Sequence, residues 1–224
     1  MLDHPIFAAS IALIRQELAA RAAADAGLAA WLDSLDALER DVLERCIHSS
    51  GDLSLVEGLS FAGCRQGLAA LQAGAPILCD TAMAVAAVAP MARRTLGNRV
   101  VGLLDWAPAE SPAGSTRSAA AVEPAWMDLT QACTTASGAA PVVLIGSAPT
   151  ALERLLDLVA AGAMPPALII GMPVGFIGVA ESKRRLADSG LAQIRLDGPR
   201  GGAGLVGAAC NALLRAAALE RHAA

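Results

Sequence analysis

Two stretches decide the fold: Pro141–Thr150, which reads PVVLIGSAPT, and Ala167–Gly175, which reads ALIIGMPVG. Each is a short, wholly apolar run that stops at glycine and proline. They lie within two charge-free segments, Leu129–Leu152 and Leu158–Ala180. A bilayer span is excluded there. Gln131, Thr134, Thr135, Ser137, Gly138 and Pro141 interrupt the first segment, and Pro165, Pro166, Gly171, Pro173, Gly175 and Gly178 cut the second. No apolar run therefore reaches the roughly 18 residues a span needs. Strands of a parallel sheet, apolar on both faces because both are covered, explain the pattern better.

Similar runs appear on either side. Pro76–Cys79 ends at Asp80, and Arg99–Leu104 and Ile194–Leu196 complete the set of strand candidates. Between them the spacing predicts helices near residues 62–73, 118–133, 150–161, 179–188 and 204–220. Two helices come first. One runs from Pro5 to about Ala24, and one from about Leu35 to Ile47 has Leu35, Leu38, Val42, Leu43 and Cys46 on one side and mostly acidic and basic residues on the other. Strand alternating with helix implies α/β architecture: a three-layer, doubly wound, mainly parallel sheet with extra N-terminal helices. In such sheets the ligand crevice lies at the carboxyl ends of the strands, where the Gly146–Thr150 and Gly171–Gly175 turns fall. The segment Pro108–Ser115 reads as a mobile flap. No composition shift marks a second unit, so residues 1–224 are read as one domain.

Hydrophobic residues make up 55% of the chain but aromatics only 3%, so the core must be built of small aliphatic side chains in close packing. The net charge of −4, without a Lys/Arg block, argues against nucleic acid or an anionic membrane as a partner. The five cysteines are scattered and never spaced C-x-x-C, which disfavours a disulfide framework or a zinc site and suggests buried packing residues. The opening Met1-Leu2-Asp3-His4-Pro5 lacks the features of a secretory signal, so a cytoplasmic location is expected. No phosphate loop, dinucleotide fingerprint, metal-ligand cluster or nucleophile elbow is present.

Of three histidines, His4 and His222 are near the ends and only His48 lies in the body of the chain. At the C-terminal end of a helix it would be biased toward its protonated form. It could act there as a proton donor, or merely cap the helix carbonyls. Thr116-Arg117-Ser118 precedes a helix, where Arg117 would sit beside free N–H groups that attract anions, unless it is a solvated surface residue. Gly201-Gly202 could bring bare backbone to a carboxylate or serve as a tight turn. Asp80 ends a strand, as a ligand contact or as the N-cap of the helix that follows.

Taken together, SIALIR (Ser10–Arg15), RCIH (Arg45–His48), GAPILCD (Gly74–Asp80), TRSAAA (Thr116–Ala121), GSAPTAL (Gly146–Leu152) and GMPVGFIGVAESK (Gly171–Lys183) resemble the precorrin-8X methylmutases of cobalamin biosynthesis. The order matches and the motifs span most of the chain. The last string is long and unusual, which makes the resemblance specific. It implies a flavodoxin-like fold, usually a homodimer, that binds a polycarboxylate tetrapyrrole and moves a methyl group from C-11 to C-12 of ring C, with no cofactor. It also implies that His48 is catalytic, acting on the ring C nitrogen. Ser10, Arg15, Asp80, Thr116, Arg117, Ser118, Gly201 and Gly202 would line the substrate, with Arg117 as a carboxylate clamp. Two features depart from the family pattern: the segment directly after Asp80, Thr81–Val88, holds no histidine, and the last glycine turn reads Gly-Gly-Ala-Gly. Two rival readings are the cobalt-containing version of the reaction and a corrinoid carrier using the same cleft.

Overall fold

The structure, a computed structural model, describes residues 4–135 and 138–223. Helix α1 (Pro5–Ala22) begins the chain, and α2 (Ala26–Ser34) follows it. The sequence reading passed over α2. Asp25 starts it by accepting from the N–H groups of Gly27 and Leu28, a cap that satisfies otherwise orphaned donors. Helix α3 (Ala37–Ser50) opens with a reciprocal capping box between Asp36 and Glu39 and ends at Gly51. It continues past Ile47, so His48 lies inside its last turn.

A 3₁₀ helix, Leu53–Glu57, leads to β1 (Leu59–Ala62) and then α4 (Cys64–Gln72). The chain then runs β2 (Ile77–Cys79), α5 (Ala82–Arg94), β3 (Val100–Gly102) and α6 (Arg117–Thr135). It finishes with β4 (Val142–Ile145), α7 (Pro149–Ala160), β5 (Leu168–Gly171), α8 (Val179–Asp188), β6 (Gln193–Leu196) and α9 (Ala203–Ala223). The third strand is shorter than read: Leu103–Trp106 turns into a 3₁₀ helix.

The six strands lie in the order β1-β6-β5-β4-β2-β3. All neighbours are parallel except β1, which pairs antiparallel with β6 from Leu59↔Leu196 to Ala62↔Gln193. The sequence reading missed β1, because this four-residue edge strand is apolar only in part. From β2 the chain passes to β3 on one side, then crosses back through α6 to β4 on the other. The β2–β4 boundary is therefore the point where the winding reverses.

Alternation along the strands serves two cores. Ile77, Cys79, Val142, Leu144, Leu168 and Ile170 pack with α3, α4, α5 and α9, while Leu78, Val143, Ile145 and Ile169 pack with α6, α7 and α8. The low aromatic content has the consequence foreseen from composition. Gly67 of α4 lies so close to β5 that a Cβ would stand 2.4 Å from Cδ2 of Leu168. All five cysteines are buried and free. The segment Ala203–Arg221 is long and apolar enough to cross a membrane, but 72% of it is buried inside the fold, where α9 is the central helix of the larger core.

Candidate active site

Helices α1 and α3 bring two residue pairs together, each spaced i, i+3 on its own helix and so on one face. Ser10 Oγ lies 2.8 Å from Nδ1 of His48. The Phe7 ring meets the His48 ring edge-on, with centroids 5.0 Å apart and planes at 87°. The Arg45 guanidinium sits 4.7 Å over the same Phe7 ring. His48 does not cap its helix: Gly51 N–H closes on the Ile47 carbonyl, and the Ser50 hydroxyl bonds the carbonyl of Cys46. The expected bias toward imidazolium is also corrected. Burial, then the nearby Arg45 cation, hold His48 below its ordinary pKa.

His48 stands at the carboxyl edge of the sheet. Cys46 Sγ reaches the carbonyl of Leu205, in the first turn of α9. Arg200 bridges from the turn before α9 to Asp52 and Ser54, just beyond His48 in the chain. That turn contains Gly201 and Gly202. Gly201 is pressed against the chain after β5: a Cβ there would lie 2.0 Å from the carbonyl oxygen of Met172. Gly202 donates its N–H to that carbonyl at 2.9 Å, and a Cβ on Gly202 would meet nothing within 4 Å.

Asp80 is not the N-cap of the helix that follows. The N-cap of α5 is Thr81, whose hydroxyl accepts from Ala84 N–H. Asp80 Oδ2 instead accepts the N–H groups of Gly146, Ser147 and Ala148 at 3.0, 2.6 and 3.0 Å. Its carboxylate thus ties β2 to the turn after β4, across the reversal point. Burial holds the carboxyl above its ordinary range against the opposing pull of those three N–H bonds.

The Thr116 hydroxyl caps α6 by accepting from Ala119 N–H, and it shares hydrogen bonds with the hydroxyls of Thr150, at 2.7 Å, and Ser118. The start of α6 is thereby fastened to that of α7. Arg117 donates Nε–H to the Pro108 carbonyl at 2.8 Å, anchoring one end of the segment read as a flap and leaving its terminal nitrogens exposed. Arg15 stands apart from these groups. It forms a paired ion bridge with Glu44 at 2.7 and 2.8 Å and lines a cleft of about 660 Å³ between α1, α2 and α3.

One residue of this edge went unrecognised in the sequence. Lys183, 1% exposed, donates Nζ to the carbonyls of Gly198 and Arg200 at 2.7 and 2.6 Å, and burial lowers its pKa to about 8. Its place in the Gly171–Lys183 motif was the available signal. In the same motif the loop tip exposes Phe176 and Ile177, at 94% and 91%.

The winding of the sheet reverses at this clasped edge, with half-buried His48 beside it, and in open α/β sheets that is the place where small molecules bind. The precorrin-8X methylmutase family model, CbiC, matches residues 5–216. A precorrin-8X methylmutase of Pseudomonas aeruginosa is 45% identical over 177 residues, 75% of this chain and 80% of that protein. One from Sinorhizobium sp. is 38% identical over 221 residues, 95% and 94% of the two. The crystal structure of precorrin-8X methylmutase from Thermus thermophilus superimposes with a TM-score of 0.71 at 37% identity, covering 84% of this chain and 88% of that one. The chain belongs to the precorrin-8X methylmutase family.

Proposed function

We propose that the protein isomerises precorrin-8X, moving the methyl group on C-11 to C-12 of ring C. Every atom of the substrate is kept, so neither a methyl donor nor an oxidant enters the balance. The observation that carries the reading is His48, held between Ser10 and Phe7 at the carboxyl edge of the sheet with its pKa lowered by burial. An N–H donated from it to the ring C nitrogen draws electron density there as the methyl migrates.

The substrate's carboxylates fall to Arg117 and the α6 start at Thr116–Ser118, with the Gly201-Gly202 backbone as a second contact. Ser10 is kept as part of the lining. Asp80 contributes by shaping the Gly146–Ala148 turn, and Arg15 by bracing α1 on α3. Val174, Phe176 and Ile177 offer exposed apolar surface at the same edge that suits the plane of a macrocycle. The order of the five parallel strands, numbered among themselves 2-1-3-4-5, supports the flavodoxin-like class for the fold. The family resemblance supports a cytoplasmic homodimer, for which exposed Ile6 and Leu13 supply an apolar face on α1.

The test offers purified protein precorrin-8X and, separately, its cobalt-containing counterpart, and follows the visible spectrum as conjugation is interrupted at ring C. Conversion of the metal-free pool is the expected outcome. Conversion of the cobalt pool alone reassigns the substrate, and tight binding without conversion overturns the enzyme reading in favour of a carrier.

A further inference from the structure

We propose that Lys183 is a positioning residue for a substrate carboxylate: by bonding the Arg200 carbonyl it sets the direction of the Gly201 N–H, the donor that the glycine turn offers to the ligand. This rests on the reading of Gly201-Gly202 as a carboxylate contact and names both the donor and the group that aims it. Lys183 closes the Gly171–Lys183 motif, lies on α8 and is 1% exposed. Its Nζ donates to the carbonyls of Gly198 and Arg200 at 2.7 and 2.6 Å.

The carbonyl of Arg200 and the N–H of Gly201 belong to one planar peptide unit. The described peptide bonds are trans, so the two groups point in opposite directions. With the carbonyl held on Lys183 in the interior, the Gly201 N–H is directed away from that ammonium. No carbonyl or side chain among the described residues accepts it. It is open to water in the free protein and to a carboxylate in the complex. Gly202 cannot do the same, because its N–H is already bonded to the Met172 carbonyl. The N–H groups of Ala203 and Gly204, in the first turn of α9, also lack an acceptor among the described residues, and a helix start favours an anion. Other anchors hold the turn without setting this plane. The Arg200 side chain reaches Asp52 and Ser54, and Gly175 N–H bonds the Pro199 carbonyl at 3.0 Å. Among the described residues Lys183 alone bonds the Arg200 carbonyl. Turning that peptide over would take an acceptor from a buried ammonium and set a carbonyl oxygen against the substrate's negative charge.

The experiment follows hydrogen exchange at the Gly201 amide in the full-length protein, beside kcat and KM for precorrin-8X. Carbonyl-¹³C arginine combined with ¹⁵N glycine isolates the signal, because Arg200-Gly201 is the one Arg-Gly pair in the sequence. In wild type this amide should exchange more slowly once precorrin-8X is added. Lys183→Met should abolish that protection and raise KM about 10-fold, the loss of one hydrogen bond to a charged group, with kcat nearly unchanged. Where Lys183→Met fails to fold, Lys183→Gln replaces it: its amide ends one bond short of the two carbonyls, and the same losses are expected. Leu155→Ala, which opens a cavity in the core on the other face of the sheet, is destabilised at a distance and should leave both KM and the Gly201 signal as they are. Unchanged protection of Gly201 in the Lys183 variant, or an equal rise of KM in Leu155→Ala, overturns the proposal. A wild-type protein that converts precorrin-8X with Gly201 unprotected overturns it too, and withdraws the glycine-turn contact while the isomerase reading stands.

Discussion

Phe7 stands edge-on to His48, and this contact between α1 and α3 does more than fill space. The ring excludes water from one side of the imidazole while Arg45 lies across the ring's face. Burial is the larger and Arg45 the smaller cause of the histidine's lowered pKa.

The acid limb of kcat/KM should therefore lie below the ordinary histidine value of about 6.5, because the neutral donor persists until the pH falls through the depressed pKa. Stability follows the same sign. The unfolded chain takes up the proton first, so the contribution of His48 is full above its unfolded pKa and is lost as pH falls through the folded one. Arg45→Gln removes one lowering influence and should shift the acid limb upward. An unmoved limb in pH–rate profiles would show that Arg45 has no hold on His48.

Arg117→Ala should weaken substrate binding by about 1.5–3 kcal/mol, the range for hydrogen bonds to charged groups, without loss of fold. Titration calorimetry or fluorescence with the tetrapyrrole checks it, and unchanged affinity would assign Arg117 to anchoring Pro108 alone.

Lys183→Met should cost about 1–3 kcal/mol, because it leaves the carbonyls of Gly198 and Arg200 unsatisfied behind a side chain of similar length. In wild type the lowered pKa means that the unfolded chain binds the extra proton between about pH 8 and the ordinary lysine value, so Lys183 makes stability rise with pH across that window. Denaturant melts of both proteins at several pH values measure the two effects together.

Gly201→Ala should destabilise by at least 1–3 kcal/mol, the usual cost of overpacking, since its methyl group would enter the Met172 carbonyl oxygen. Gly204→Ala, three residues on in α9 with open space around it, should be neutral or stabilising. Equal melting temperatures for the two variants would contradict the packing described.

Thiol reagents should find almost nothing to modify in the folded protein. Burial pushes Cys46, Cys64 and Cys79 up to about 12 and raises Cys133 and Cys210 as well. Colorimetric titration should register all five thiols only after denaturant is added.

By itself the sequence determined the strand and helix alternation of an α/β chain, the buried cysteines and, through its motifs, the family. These depend on local periodicity, or on strings of residues that carry their own signature. It also singled out His48. It did not reveal α2 or the antiparallel edge strand β1, since a short, well-capped helix and a four-residue edge strand leave little apolar pattern. What only the tertiary structure decided is how isolated residues divide their bonds. Asp80 is spent on three N–H groups some sixty-six residues away in the chain. Arg15 is paired with Glu44, and Lys183 is turned inward onto two carbonyls. The direction of the His48 pKa shift was read with the wrong sign for the same reason. A helix end favours imidazolium, but the burial and the cation that outweigh it come from how α1 is laid against α3, and no spacing along one chain records that.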